Sequence, residues 1–157
     1  MSRRRRAEKR EIDPDPRYNS KTLAKFINVL MLGGKKSVAR AIVYDAIEDF
    51  SQRANQENAL EAFEEALENA KPSLEVKSRR IGGATYQVPV EIAHERRIAL
   101  GMRWIIKHSR SKKGRTMTKA LSTELYDCFN NQGSTIKKKD DTHRMAEANK
   151  AFAHYKW

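Results

Sequence analysis

One cysteine, Cys128, in a chain of 157 residues leaves no internal disulfide to form and fits a reducing compartment. No apolar run approaches the ~18–20 residues that a membrane span requires. The opening MSRRRRAEKRE has a charged front with no apolar stretch behind it, so it does not read as a secretory signal. His94, His108, His143 and His154 show no metal-ligand spacing with one another or with Cys128, so neither metal nor cofactor is expected. The GGKKS at Gly33–Ser37 resembles a P-loop only in part. Val29 stands where that motif needs glycine, and a helix rather than a strand precedes it. His94 and Glu95 are neighbours, but adjacent helical residues point in different directions, and no nucleophile recurs nearby. Cys128 lies on an apolar helix face, as a buried thiol would. Without a catalytic constellation or a small-molecule site, the chain reads as a non-enzyme.

Positive charge is what the sequence has in excess. The formal net charge is +12, and a folded body carrying it repels itself unless a polyanion is near. The charge is also segregated. Residues 1–10 hold six Arg or Lys against Glu8, residues 45–68 hold eight acids against Arg53, and residues 77–119 hold twelve Arg or Lys against Glu91 and Glu95. An acidic side and a basic side are what a protein docked by one face on phosphates needs.

The expected fold is mainly α, a single-domain bundle of about six helices with one protruding two-stranded antiparallel β-hairpin and basic N- and C-terminal extensions. Residues 1–15 read as a basic RNA-binding arm, because DPDP at Asp13–Pro16 interrupts regular structure. Residues 16–150 read as the helical domain and 151–157 as a tail. Ser20 caps a first helix whose face is Leu23, Phe26, Ile27 and Leu30, with Gly33 as its stop. A second helix runs from near Lys36 to Ser51 with Ala39, Val43, Ala46, Ile47 and Phe50 inward. A third, acidic helix starts at Asn58 and closes at Pro72. At residues 74–90 two β-favouring runs meet at Gly82–Gly83, which supply the φ > 0 backbone of a tight turn, and the basic ribbon reads as a bare projecting arm. The helix Ile92–His108 follows, with Arg96, Arg103, Lys107 and Arg110 along one side. The basic loop Ser109–Thr116, SRSKKGRT, leads into a helix whose inward residues are Met117, Leu121, Leu125, Cys128 and Phe129. Free backbone N–H groups at that helix start add to the loop's charge as a phosphate site. Gly133 is expected to end it, and a weakly apolar last helix carries Ile136, Met145, Ala146 and Ala148. Phe152, Tyr155 and Trp157 in the tail suit base stacking or a partner groove, and equally a fold back onto the core.

Seven stretches, between them reaching nearly from end to end, carry a resemblance. They are RRRRAEKR at Arg3–Arg10, DPRYNS at Asp15–Ser20, KFIN at Lys25–Asn28, GKKSVARAIVYDA at Gly34–Ala46, PSLEVKSRRIGGATYQVPVEI at Pro72–Ile92, RRIALGMRWI at Arg96–Ile105 and MAEANKAFAHYKW at Met145–Trp157. On them the chain resembles the bacterial-type family of small-subunit ribosomal protein seven. The resemblance implies a structural ribosomal protein that binds small-subunit rRNA early, nucleates assembly of the subunit's head, and represses translation of its own messenger RNA. It implies as partners small-subunit rRNA of the head domain, exit-site tRNA and mRNA, and small-subunit proteins nine and eleven, with no membrane. It implies the cytoplasm, on the ribosome, or an organelle's ribosome. The rRNA-binding residues it implies are Arg3, Arg4, Arg5, Arg6, Lys9, Arg10, Lys35, Lys36, Lys77, Arg96, Arg103, Lys107, Arg110, Lys112, Lys113 and Arg115. Arg79, Arg80, Gly82, Gly83 and Tyr86 would form the part of the hairpin that faces exit-site tRNA and mRNA. Met31–Leu32 departs from the charged residue many relatives place there. A nuclease or RNA-modifying enzyme on the same basic surface is the competing class, and it would need carboxylates clustered for a metal. A DNA-compacting protein is a third.

Overall fold

Ser20 sits in extended backbone and its hydroxyl accepts from the Leu23 N–H, which starts α1, Lys21–Leu30. The computed structural model describes Glu8 and residues 10–155; Arg3, Arg4, Arg5, Arg6 and Lys9 of the expected arm, and Trp157 of the tail, lie outside the described residues. After α1 come α2, Lys36–Arg53, α3, Ala59–Ala70, the strands β1, Leu74–Ile81, and β2, Ala84–Glu91, then α4, His94–Ser111, α5, Met117–Phe129, and α6, Gly133–Ala148. A short 3-10 helix, Lys150–Tyr155, follows α6. The architecture is mainly helical with one two-stranded hairpin, as the sequence patterning predicts.

The core forms where the apolar stripes converge. α5 packs against α2, α3, α4 and α6, and buries Leu121, Leu125 and Cys128 completely. Phe26 of α1 meets Phe63 of α3 edge-on at 5.2 Å, and Phe50 of α2 meets Phe129 of α5 at 5.8 Å. Burial pushes the Cys128 thiol up to about 12, so at neutral pH it is a packed, protonated side chain rather than a nucleophile. Asn58 caps α3 by accepting from the Leu60 and Glu61 N–H groups.

Several helix boundaries and contacts differ from the sequence expectation: α4 runs on through Ser111, so of the expected loop Ser109–Thr116 only Lys112–Thr116 is loop. α1 ends at Met31, whose N–H reaches the Ile27 carbonyl, and Gly33 and Gly34 instead form the turn into α2, with φ of +58° and +76°. α5 is closed by Asn131 rather than Gly133: Asn131 takes φ +55°, a conformation asparagine tolerates. Gly133 opens α6 at φ +86°, where a Cβ would lie 2.8 Å from Asp127 Cβ. Met145, one of the few apolar residues of α6, is half exposed, and Ile136, Thr142 and Ala146 carry the buried side of the helix.

The hairpin pairs in register from Leu74 with Glu91 to Ile81 with Ala84, and Gly82 and Gly83 turn it at φ +55° and +90°. It is not bare. α6 packs on β1 and the 3-10 helix on β2, Val88 is fully buried, and Tyr86 stands 5.3 Å from Phe152 and 5.2 Å from Tyr155. The tail therefore folds back, onto the ribbon, which is marginal alone and gains an apolar cover from it.

Asp15, assigned to the arm by sequence, is buried. Its carboxylate accepts from the Arg17 and Tyr18 N–H groups at 3.1 Å and from the Tyr44 hydroxyl at 2.5 Å, pinning the N-terminal segment to α2. Burial and the bond to Asp15 raise the Tyr44 hydroxyl to about 12. Replacing Asp15 by Ala strands three donors and is expected to lower stability by about 2–3 kcal/mol in urea unfolding. Unchanged stability would show that the N-terminal segment is not anchored there.

Candidate nucleic-acid interface

α4 turns one side to α3, and a glycine marks that contact. At Gly101 a Cβ would lie 3.3 Å from Leu67 Cδ1 and Lys71 Cγ of the α3 end, so the two helices approach closely there. At about 100° per residue, Arg96, Arg103, Lys107 and Arg110 fall within an arc of ~60°, centred ~150° round the cylinder from Gly101. α3 buries Ala62, Phe63, Ala66, Leu67 and Ala70 and turns Glu61, Glu64, Glu65 and Glu68 to solvent. The basic stripe and the acidic helix thus lie on different sides of the body.

The stripe is not four equivalent charges. Arg96 is paired with Glu75 of β1, its Nε 2.9 Å and its Nη2 2.7 Å from the carboxylate. Hydrogen bonding from Arg96 outweighs desolvation and holds the Glu75 carboxyl below its usual range. Arg110 donates to the Leu30 carbonyl at 2.9 Å, closing the C-terminal end of α1. Arg103 and Lys107 are exposed and enter no ion pair with another described residue. The same holds for Lys35 and Lys36 at the start of α2, Arg80 on the hairpin, and Lys113 in the loop. Lys77 lies 3.6 Å from Glu75, and Arg115 reaches the Thr123 hydroxyl at 3.4 Å. Arg79 donates to the Tyr155 carbonyl, so the tail holds it. Arg10 is exposed.

Lys112 points inward. Its Nζ lies 2.8 Å from Glu124 Oε2 and 3.2 Å from Asp127 Oδ2, and Glu124 is fully buried. The other Glu124 oxygen accepts from the Thr135 N–H at 3.1 Å and the Thr135 hydroxyl at 2.6 Å. Thr135 stands in the first turn of α6, where no side chain of Gln132 caps the helix, so Glu124 supplies the cap from α5. His108 of α4 joins through Nδ1, 2.9 Å from the Thr135 hydroxyl, and burial depresses its basicity. The network ties α4, the loop, α5 and α6 together, and Thr116, accepting from the Lys119 N–H, starts α5 directly after the loop.

Sequence reasoning missed two things. Glu75 as the partner of Arg96 was visible only as the polar half of an alternating strand. Lys137 and Lys138, exposed on α6, add cations that the run KKK announced but that the weak apolar pattern of α6 obscured. Among the described residues no group of three or more His, Cys, Asp or Glu could hold a metal ion, and no helix is long and apolar enough to cross a membrane.

A basic helical body of this kind, with free cations away from its acidic helix, can neutralise a phosphate surface. The model of the family described as ribosomal protein S7p/S5e matches residues 2–150. The chain is 72% identical to the small ribosomal subunit protein uS7 of Protochlamydia amoebophila, 69% to that of Chlamydia pneumoniae and 67% to that of Chlamydia felis, over the full length of both chains in each case. The chain belongs to the ribosomal protein S7p/S5e family.

Lys112→Met would leave the Glu124 carboxylate buried without its cation and is expected to cost about 3–5 kcal/mol in urea unfolding. The pair Lys112→Met with Glu124→Gln retains an acceptor for Thr135 without a buried charge and should recover most of that loss. Equal stability of the single variant and the parent would show that the network does not hold these helices together.

Proposed function

We propose that the protein is a structural constituent of the small ribosomal subunit that binds the rRNA of the subunit's head, nucleates head assembly, and does so without enzymatic activity. The observation that carries this reading is the exposed pair Arg103 and Lys107, neither in an ion pair with another described residue, on a side of the body away from the acids of α3, in a chain of a ribosomal protein family. Lys35, Lys36 and Lys113 extend the surface, with Arg10 and the basic residues before it. Binding rests on phosphate neutralisation and on RNA shape, because side chains cannot read the narrow major groove of A-form RNA. Arg96 contributes less than its neighbours, since Glu75 already neutralises it, and Lys112 acts from inside.

The hairpin tip, Arg80, Gly82 and Gly83 with Arg79 and Tyr86 behind it, serves exit-site tRNA and mRNA rather than primary rRNA binding. Small-subunit proteins nine and eleven are its neighbours, the ribosome of the cytoplasm its location, and its own messenger RNA a second ligand for the same basic surface.

The RNA reading sets a salt dependence. Removing one cation that neutralises a phosphate should flatten the slope of log affinity against log salt by about 0.7–0.9. Replacing Arg103 and Lys107 by Ala is expected to flatten it by roughly 1.4–1.8, and Arg96→Ala by less than either alone. A slope unchanged in the double variant would remove the stripe from the interface. Deleting residues 79–84 should leave rRNA affinity within about threefold of the parent, on the ~1.4 kcal/mol-per-decade scale; loss of binding would make the ribbon an anchor instead.

A further inference from the structure

Leu32 and Val38 are 66% and 53% exposed, and they line the same groove. Scattered exposed aliphatics are ordinary on protein surfaces, but two on one concave wall beside lysines are not explained by phosphate contacts alone. The groove has a volume of about 430 Å³, within the ~300–1,000 Å³ typical of small-molecule sites. Its floor and walls are Leu30, Val38, Ala39, Ile42 and Met117, and its polar groups are Lys35 and Arg110, with no acid among the lining. The backbone shapes it. Gly33 and Gly34, both at positive φ, turn the chain so that Leu32 stands out ahead of α2. The bond from Arg110 Nη2 to the Leu30 carbonyl fixes one edge of the guanidinium in the wall. Met117 follows the basic loop immediately, so the loop's charges border the groove.

We infer that this groove receives one unstacked nucleobase of the bound RNA, with Leu32 and Val38 against the base, Arg110 beside its plane and Lys35 on its phosphate. This rests on the rRNA-binding reading proposed above and adds a base contact to it. A nucleotide combines an apolar face with an anionic edge, and splayed bases in loops and bulges stack on side chains and on guanidinium planes. The acid-free lining with cationic polar groups favours that ligand over an apolar peptide. An acidic, amphipathic segment of a neighbouring protein is the competing occupant.

The test measures affinity for the head-domain fragment of small-subunit rRNA at several salt concentrations. Both aliphatics are exposed, so Leu32→Ser with Val38→Ser should keep the parent's thermal midpoint. That variant is expected to bind roughly five- to tenfold more weakly, the scale of partly burying one such side chain. Its salt slope should stay the same, because no charge is removed. Lys35→Ala should flatten the slope by about 0.7–0.9. A scan of abasic positions along the fragment should find one whose loss weakens the parent but weakens the Leu32→Ser, Val38→Ser variant no further. Unchanged affinity of that variant overturns the inference and leaves the phosphate reading standing; if it also fails to enter reconstituted subunits, the groove belongs to a protein neighbour. An unchanged slope in Lys35→Ala overturns the RNA reading at this surface, and the nucleobase site with it.

Discussion

Glu124 is fully buried on α5, and a carboxylate can stay there only because Lys112 neutralises it and Thr135 donates to it twice. Breaking that balance would affect three segments at once. α6 would lose the cap at its first turn, the loop Lys112–Thr116 would lose its inner anchor, and His108 would lose the oriented hydroxyl that ties it to α6. The loop and the ends of α4, α5 and α6 thereby meet around one buried carboxylate. A side chain that looks, by composition, like a phosphate ligand anchors the basic loop from inside.

The consequence is a division among the positive charges that net charge does not reveal. Arg96, Arg110 and Lys112 serve β1, α1 and α5, and Arg97 donates to the Pro72 carbonyl at the entry to the hairpin. Arg103, Lys107, Lys113, Lys35 and Lys36 are left facing solvent. A guanidinium already satisfied by a carboxylate or carbonyl brings less counterion release on binding RNA than a free one. The surface can therefore be strongly attractive while the fold beneath it has few uncompensated charges.

Periodicity made most of the fold legible. The stripe Leu23–Phe26–Ile27–Leu30, the Ser20 and Asn58 caps and the Gly82–Gly83 turn depend on near neighbours, and they stand as the patterning predicts. What was not legible depends on partners distant in sequence. Nothing local says that Lys112 turns inward, since its partners Glu124 and Asp127 lie twelve and fifteen residues on. The tail's aromatics fitted base stacking, a partner groove or a fold back onto the core equally well until Tyr86 supplied the contact of Phe152 and Tyr155. Gly133 was misread as a stop because two residues earlier Asn131 can take the left-handed conformation itself. The basic stripe was legible as a direction on α4, but Glu75, on a strand twenty-one residues earlier, decided which of its members is paired.

On the proposed function, RNA is met by the subset of cations left facing solvent rather than by the total charge. Amine acetylation of the protein with and without the head-domain rRNA fragment, read lysine by lysine, tests it most directly. Lys35, Lys36, Lys107 and Lys113 are predicted to react freely in the isolated protein and become protected on binding, while Lys112 is slow in both states. Equal reactivity of Lys107 and Lys113 with and without RNA, or protection confined to lysines elsewhere on the body, would contradict it.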